Sequence, residues 1–451
     1  MTTRRPGRRD PLETAIEVAF QPGRFIGYRA GSDFVSSLEE VARHLETLVR
    51  TDARRAVSLY ETFLAGCYEK AEQLDDSSGN FAMFVVSLYC GWIRARQAAS
   101  VDADETARLL LGRMERDSYG FASSLEHDAV KVMSKESLAA LERQVKARFE
   151  AKDPVEQAPD HAPPRNPAYR RRRWGEILRA IYTQQRDVRA YVALCERTQL
   201  SAQDCLAVAT MLKTRRKRDE ALAWVDRGLA LEKKHPHGSM AGHNLVTLKR
   251  ELLRKLGRHQ DALEDAWAGF REHPSTFSYE DLMRFVPKAE HAAWHAKAMD
   301  TAERADLGSL IELWLETREI ERLVRRLRAA TDPELEELSH YRTEPAATRL
   351  AKSHPDVAAK VYRALGMRIL RAKRSKYYDA ALSHFENAKC CYERSDLHRE
   401  WATVVADVRR AHHRKAGFMA DFERLAAGHG PRDTPSFLDR ARNRWSVRAE
   451  P

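Results

Sequence analysis

Proline is spread so unevenly along this chain that its placement alone limits the fold. Inside a helix a proline removes a hydrogen bond and clashes with the preceding turn. Of 17 prolines in 451 residues, none falls between Pro22 and Pro154, between Pro167 and Pro236, or between Pro355 and Pro431, whereas five crowd into Pro154 to Pro167. Three long blocks are therefore free to be helical. Residues 151–169 combine the crowded prolines with alternating charge and few apolar side chains, which marks a linker. The predicted organisation is a tail at 1–22, an N-terminal helical domain at 23–150, the linker at 151–169, a hairpin-repeat domain at 170–425 and a second tail at 426–451.

Apolar spacing within the blocks is helical. Cys205, Val208, Ala209 and Leu212 recur at i, i+3, i+4 and i+7, as do Leu263, Ala266, Trp267 and Phe270. Ile320, Leu323, Val324 and Leu327 repeat the pattern, and so do Tyr378, Ala381, Leu382 and Phe385. Several segments also resemble one another: a helix, a short basic or Gly-containing turn, then a helix opening on an acidic–Ala–Leu step. Examples are Glu220-Ala221-Leu222, Asp261-Ala262-Leu263 and Asp379-Ala380-Ala381-Leu382. A small alanine lets the two helices of a hairpin approach closely while the leucine fills the groove between them. With Leu222, Leu263, Leu323 and Leu382 taken as equivalent, the intervals are 41, 60 and 59 residues. A regular 34-residue tetratricopeptide array does not give those intervals. The expectation is an all-α fold, an irregular, tetratricopeptide-like α-solenoid of helical hairpins behind an N-terminal helical domain.

Composition narrows the setting. With 43% hydrophobic residues the chain can bury a large core, and with 32% charged residues it reads as a highly charged globular protein. The longest nearly uncharged stretch, Phe81 to Ile93, falls short of the roughly 20 apolar residues a membrane helix needs. Glu13 and Glu17 interrupt the basic N-terminus before an apolar signal core develops. Six cysteines, Cys67, Cys90, Cys195, Cys205, Cys390 and Cys391, show no C-x-x-C or C-x-C spacing, which points to a reducing cytoplasm.

Several phrases then accumulate in order: Phe25-Ile26-Gly27-Tyr28-Arg29, the acidic turn Asp75 to Gly79, and Arg186 to Leu194. Gly257 to Leu263 with Phe270 to Pro274, and Arg410 to Met419, complete the set. Together, from about Gly23 to Phe422, they resemble the helical region that follows the zinc finger in bacterial SWIM zinc-finger proteins, and a related stand-alone bacterial family of unknown function. A SWIM finger needs a C-x-C pair followed by C-x-H to give zinc four ligands, and the chain contains no such set. The resemblance therefore implies a helical scaffold without established chemistry.

His291 and His295 lie four apart on a predicted helix and suit one metal geometrically, but Ala292 stands where a zinc hydrolase has its glutamate and no third ligand is indicated. Two packed or surface histidines are the better reading, and no metal is assigned. Cys390 and Cys391 point about 100° apart on a helix, so at most one faces a core. The Asp75–Gly79 turn has adjacent acids and lacks the closing glutamate of a calcium loop. It reads as a helix cap. No nucleophile elbow or phosphate-cradling glycine loop is present. The chain is expected to be non-enzymatic, with no catalytic residues and no cofactor.

Positive charge is the strongest functional signal. Net charge is +11, and residues 360 to 420 hold 14 Lys+Arg against 6 Asp+Glu. Four clusters stand out: Arg170, Arg171, Arg172 and Arg173; Arg215, Arg216, Lys217 and Arg218 beside Lys213; Arg371, Lys373, Arg374 and Lys376; and Arg409, Arg410, Arg414 and Lys415 around His412 and His413. Tyr169, Trp174, Tyr377 and Tyr378 lie beside two of them, as aromatics that stack on bases do. The leading expectation is a scaffold for a protein partner, because stacked hairpins present extended surfaces and Trp, Tyr and Arg dominate interface energetics. The alternative is nucleic-acid binding through the basic clusters. No membrane contact is expected.

Overall fold

The computed structural model describes residues 10–21, 23–151, 167–233 and 239–429, and they are mostly helical. They divide into two compact units between Leu252 and Leu253. The first holds α1 (Pro11–Ala19), α2 (Tyr28–Thr51), α3 (Ala53–Lys70), α4 (Asn80–Ala98), α5 (Ala103–Glu115), α6 (Glu126–Val132), α7 (Lys135–Glu150), α8 (Pro167–Gln185), α9 (Val188–Arg197), α10 (Ala202–Thr214) and α11 (Arg218–Glu232). The division runs through α12 (Met240–Lys255). The second unit holds α13 (His259–Glu272), α14 (Thr276–Met283), α15 (His291–Ala302), α16 (Leu307–Glu316), α17 (Ile320–Ala329), α18 (Asp332–Glu337), α19 (His340–Leu350), α20 (Pro355–Arg371), α21 (Tyr378–Arg394), α22 (His398–His412) and α23 (Ala416–Ala426). Among the described residues there is no strand, only an isolated bridge between Ile26 and Leu74. Pro11 and Pro355 each open a helix and Pro333 lies in the first turn of another, where the missing N–H costs nothing. Pro345 is the exception, inside α19.

The N-terminal part of the first unit is built around α4. Eleven of its 19 residues are buried, because α2, α3, α5 and α6 all pack on it. This is the uncharged Phe81–Ile93 stretch, and a helix apolar on every side is one surrounded by others. A Cβ at Gly91 would lie 2.5 Å from the Tyr60 ring, so glycine is what lets α3 approach so closely. The Trp92 ring is flanked by the Arg96 and Arg113 guanidinium groups at 5.1 and 4.6 Å, and its Nε1 donates to Glu61 at 3.0 Å.

Two expected boundaries move. Part of the 1–22 tail is α1, which packs on α2 and α3 with Ile16 buried and Asp10 gripping Arg55. The expected division at 151–169 is not where the packing divides, since α8 packs on α6 and α7 and ties the segments on either side of it into one unit. Residues 152–166 of that linker, 1–9 and 430–451 lie outside the described residues.

The second unit is organised around α20 in the same way. Eleven of its 17 residues are buried, with α17, α18, α19, α21 and α22 around it. A Cβ at Gly366 would lie 2.7 Å from the Phe385 ring of α21. Buried Arg363 pairs with Glu336 and Asp332, each at 2.9 Å.

Five of the connections between consecutive helices share one turn. Arg186, Arg216, Gly257, Arg318 and Asp396 have positive φ of 56 to 78°. In each case the next amide donates to the carbonyl five residues back, as Asp187 does to Tyr182 and Glu319 to Trp314, which is the Schellman helix stop. The positions five and four before the positive-φ residue are buried in all five turns: Ile181/Tyr182, Met211/Leu212, Leu252/Leu253, Leu313/Trp314 and Cys391/Tyr392. So are those five and nine after it: Tyr191/Cys195, Ala221/Val225, Ala262/Ala266, Leu323/Leu327 and Trp401/Val405. This register corrects the expected alignment. Leu222 and Leu263 fall six residues past the turn and Leu323 five. Leu382 falls nine past Lys373, because a 3-10 turn at Ser375–Tyr377 lengthens that connection. The result is an irregular solenoid of helical hairpins, in which helices pack on their chain neighbours and on the next helix but one.

Candidate interaction surfaces

The four basic clusters meet very different surroundings. At the head of α8, Arg171 lies over the Phe149 ring at 5.1 Å and Arg172 pairs with Glu176 at 3.2 Å. Arg173 forks buried Glu126 with two bonds of 2.7 Å and also donates to the Ala122 carbonyl. Arg170 is engaged as well. Trp174 is buried and offers no face for a base, whereas Tyr169 is exposed. In the α10–α11 turn, Lys213 pairs with Glu251 and Lys217 with Glu220, Arg218 is engaged, and Arg215 donates to the Arg186 carbonyl at 2.6 Å. That last bond sets the α10–α11 turn beside the α8–α9 turn. Arg170–Arg173 stand at the other end of α8, about 25 Å away at 1.5 Å per residue. These two clusters therefore do not share a face.

The two clusters of the second unit do come together. Tyr378 at the head of α21 packs on Phe418 of α23 with ring centroids 5.6 Å apart, and the Lys415 ammonium lies 5.9 Å from the Tyr378 ring. The α20–α21 and α22–α23 connections thus lie side by side. Some of their cations are tied down: Arg371 to Glu336 at 2.5 Å, Arg409 to Glu423 by a fork, and Arg410 to Asp407 at 2.5 Å. Among the described residues the side chains of Lys373, Arg374 and Arg414 meet no carboxylate. Residues 371–377 and 408–420 contain no Asp or Glu. His412 sits between the two turns with its Nε2 buried and unpartnered. Burial, then Lys415 and Arg371, hold its pKa below the usual histidine value.

Two grooves were not anticipated. In the first unit, Ser32, Val35, Ser36 and Glu39 of α2 and Asn80, Met83, Phe84 and Ser87 of α4 line a cleft of about 430 Å³. Met83 is 72% exposed there, and Tyr28 continues the same stripe of α2 at 59%. In the second unit a shallower groove of about 760 Å³ runs along α19 past His340, Tyr341, Glu344, Pro345 and Thr348. Tyr341 is 80% exposed and its ring lies tilted against His340, with centroids 4.0 Å apart. The one sequence signal for the first groove was a methionine on a helix already apolar on its other sides.

The remaining candidates have structural roles. His291 Nε2 faces the Val286 carbonyl at 3.1 Å, and both nitrogens of His295 are occupied, Nδ1 by the Tyr279 hydroxyl at 2.7 Å and Nε2 by Glu319 at 2.9 Å. The two histidines do not point at a common centre. Cys391 is buried and Cys390 exposed. Asp76 accepts from the Phe81 and Ala82 amides at 2.9 Å and so caps α4.

The architecture defines the class, a helical-hairpin solenoid protein. The chain belongs to the family of unknown function DUF6880, whose model matches residues 19–421. No curated protein matches it. Among solved structures, "Structure of Naa15/Naa10 bound to HypK-THB" shows 11% sequence identity over 89% of this chain, with a TM-score of 0.32. The chain spans 63% of the length of the chain it matches there. The fold assignment rests on the helices of this protein, not on that likeness. No helix among the described residues is long and apolar enough to cross a membrane.

Proposed function

We propose that the chain is a non-enzymatic helical-repeat scaffold that holds a partner protein in the groove between α2 and α4. The observation that carries this reading is Met83, a large apolar side chain left 72% exposed over a cleft walled by two helices. A methionine adapts to irregular partner surfaces. All six cysteines are unpaired and five of them buried, which fits a reducing cytoplasm. The ordered phrases from Gly23 to Phe422 further suggest kinship with the helical region of bacterial SWIM zinc-finger proteins. The test is affinity capture from the source lysate with wild-type chain, Met83→Glu and Tyr341→Glu. A partner whose recovery falls about tenfold with Met83→Glu and is unchanged by Tyr341→Glu supports the reading. Recovery insensitive to Met83→Glu overturns it.

Nucleic-acid binding is a second reading, and one observation favours it: the α20–α21 and α22–α23 connections lie side by side in the second unit, and their runs 371–377 and 408–420 contain no Asp or Glu.

A further inference from the structure

We infer that these two connections form a site for single-stranded nucleic acid, with Lys373, Arg374 and Arg414 on the phosphates and Tyr377 stacking a base. The inference rests on the second reading above and gives it a location and a substrate class.

The two basic clusters of the first unit are largely engaged within it. Arg173, Lys213 and Lys217 there each hold a carboxylate. Here two turns from different hairpins lie together with no acid in either, and among the described residues three side chains are left without partners. Like charges gathered this way repel one another, and a polyanion relieves that repulsion while releasing its own counterions. Two helix C-termini, those of α20 and α22, offset part of the charge through their dipoles, but each supplies only about half a negative charge.

The aromatics separate bases from carboxylates. Tyr377 is 43% exposed, and the Lys376 ammonium lies 4.9 Å from its ring centroid. A ring beside cations suits a splayed-out base on a phosphate backbone, the arrangement that recognises single strands. It gives no advantage with an acidic peptide. A duplex keeps its bases stacked inside and gains nothing from the ring. Lys373 also holds positive φ, at 54°, where a glycine fits without strain, so a basic side chain stands at a position where backbone geometry argues against it.

The experiment is fluorescence anisotropy of the full chain with a labelled, mixed-sequence 20-nucleotide DNA strand and its duplex, at low salt. Lys373→Glu/Arg374→Glu is compared with Arg215→Glu/Arg216→Glu, an equal charge change in the first unit. The expected result is wild-type binding to the strand, at least tenfold weaker binding with the first pair, and a change within about threefold with the second. Tyr377→Ala weakens the strand about fivefold or more and leaves the duplex unchanged. Equal losses with both pairs overturn the site while leaving nucleic-acid binding in place. No wild-type binding overturns the second reading and the site together. Release of the strand by polyglutamate as readily as by unlabelled strand assigns the surface to an acidic protein and overturns the inference.

Discussion

As sequence, the run Arg170–Arg173 and the run Arg371–Lys376 look alike, four cations within six residues. The fold treats them differently. At the head of α8 the cations are drawn inward, Arg173 onto buried Glu126 and Arg171 onto Phe149. At the end of α20 only Arg371 is drawn in, and Lys373 and Arg374 pair with no acid among the described residues. The difference comes from register. A cation within a packed helix faces whatever the neighbouring helices present, whereas one in a connection faces solvent unless a second connection brings an acid to it. A count of charges does not separate a stabilising cluster from a binding one; the pairing does.

The largest test of this contrast is Arg173→Ala. It leaves Glu126 buried without its partner, and such a loss costs about 3–5 kcal/mol. Arg374→Ala removes an exposed, unpaired side chain and is expected to change stability by no more than about 0.5 kcal/mol. Denaturant unfolding of both variants checks the pair, and comparable losses would break the comparison.

A second test concerns pH. His412 has its pKa lowered by burial and by Lys415 and Arg371, so the folded state favours the neutral ring. Above the unfolded value of 6.5 both states are neutral and nothing is lost. As pH falls below it the unfolded chain takes up the proton first, and stability declines until the folded ring titrates too. The melting temperature of His412→Gln is expected to fall less between pH 7.5 and 5.5 than that of the wild type. An identical fall would show that neither burial nor the neighbouring cations hold the ring neutral.

The smallest effect is at the turns themselves. Lys373→Gly and Arg216→Gly each relieve a positive φ, of 54 and 61°, and are expected to stabilise by about 0.5–1 kcal/mol. The two gains in melting temperature should match, while only Lys373→Gly weakens strand binding.

Much of this architecture is legible in the sequence. Proline placement and the i, i+3, i+4 spacing predict the helices, and the acid–Ala–Leu step finds the hairpins. The repeat register is not legible that way, because its fixed point is a backbone conformation. Arg, Gly and Asp all occupy it, at Arg186, Arg216, Gly257, Arg318 and Asp396, so no residue type marks the position. Aligning on leucines therefore slips by one residue at Leu323 and by three at Leu382. The uncharged Phe81–Ile93 stretch is too short to span a membrane, and a helix apolar all round is a surrounded core helix. The boundary at 151–169 was drawn from proline and charge, and the Arg173–Glu126 fork that joins the segments on its two sides is a long-range pairing that no local pattern reveals.

The measurement that tests the account most directly is the salt dependence of strand binding. Log affinity is plotted against log salt for the wild type and for Arg374→Gln/Arg414→Gln. Each phosphate contact on a single strand contributes about −0.7 to that slope. The account predicts a slope shallower by about 1.4 in the double variant. A slope unchanged from the wild type would contradict it, and would return these cations to the solvated surface.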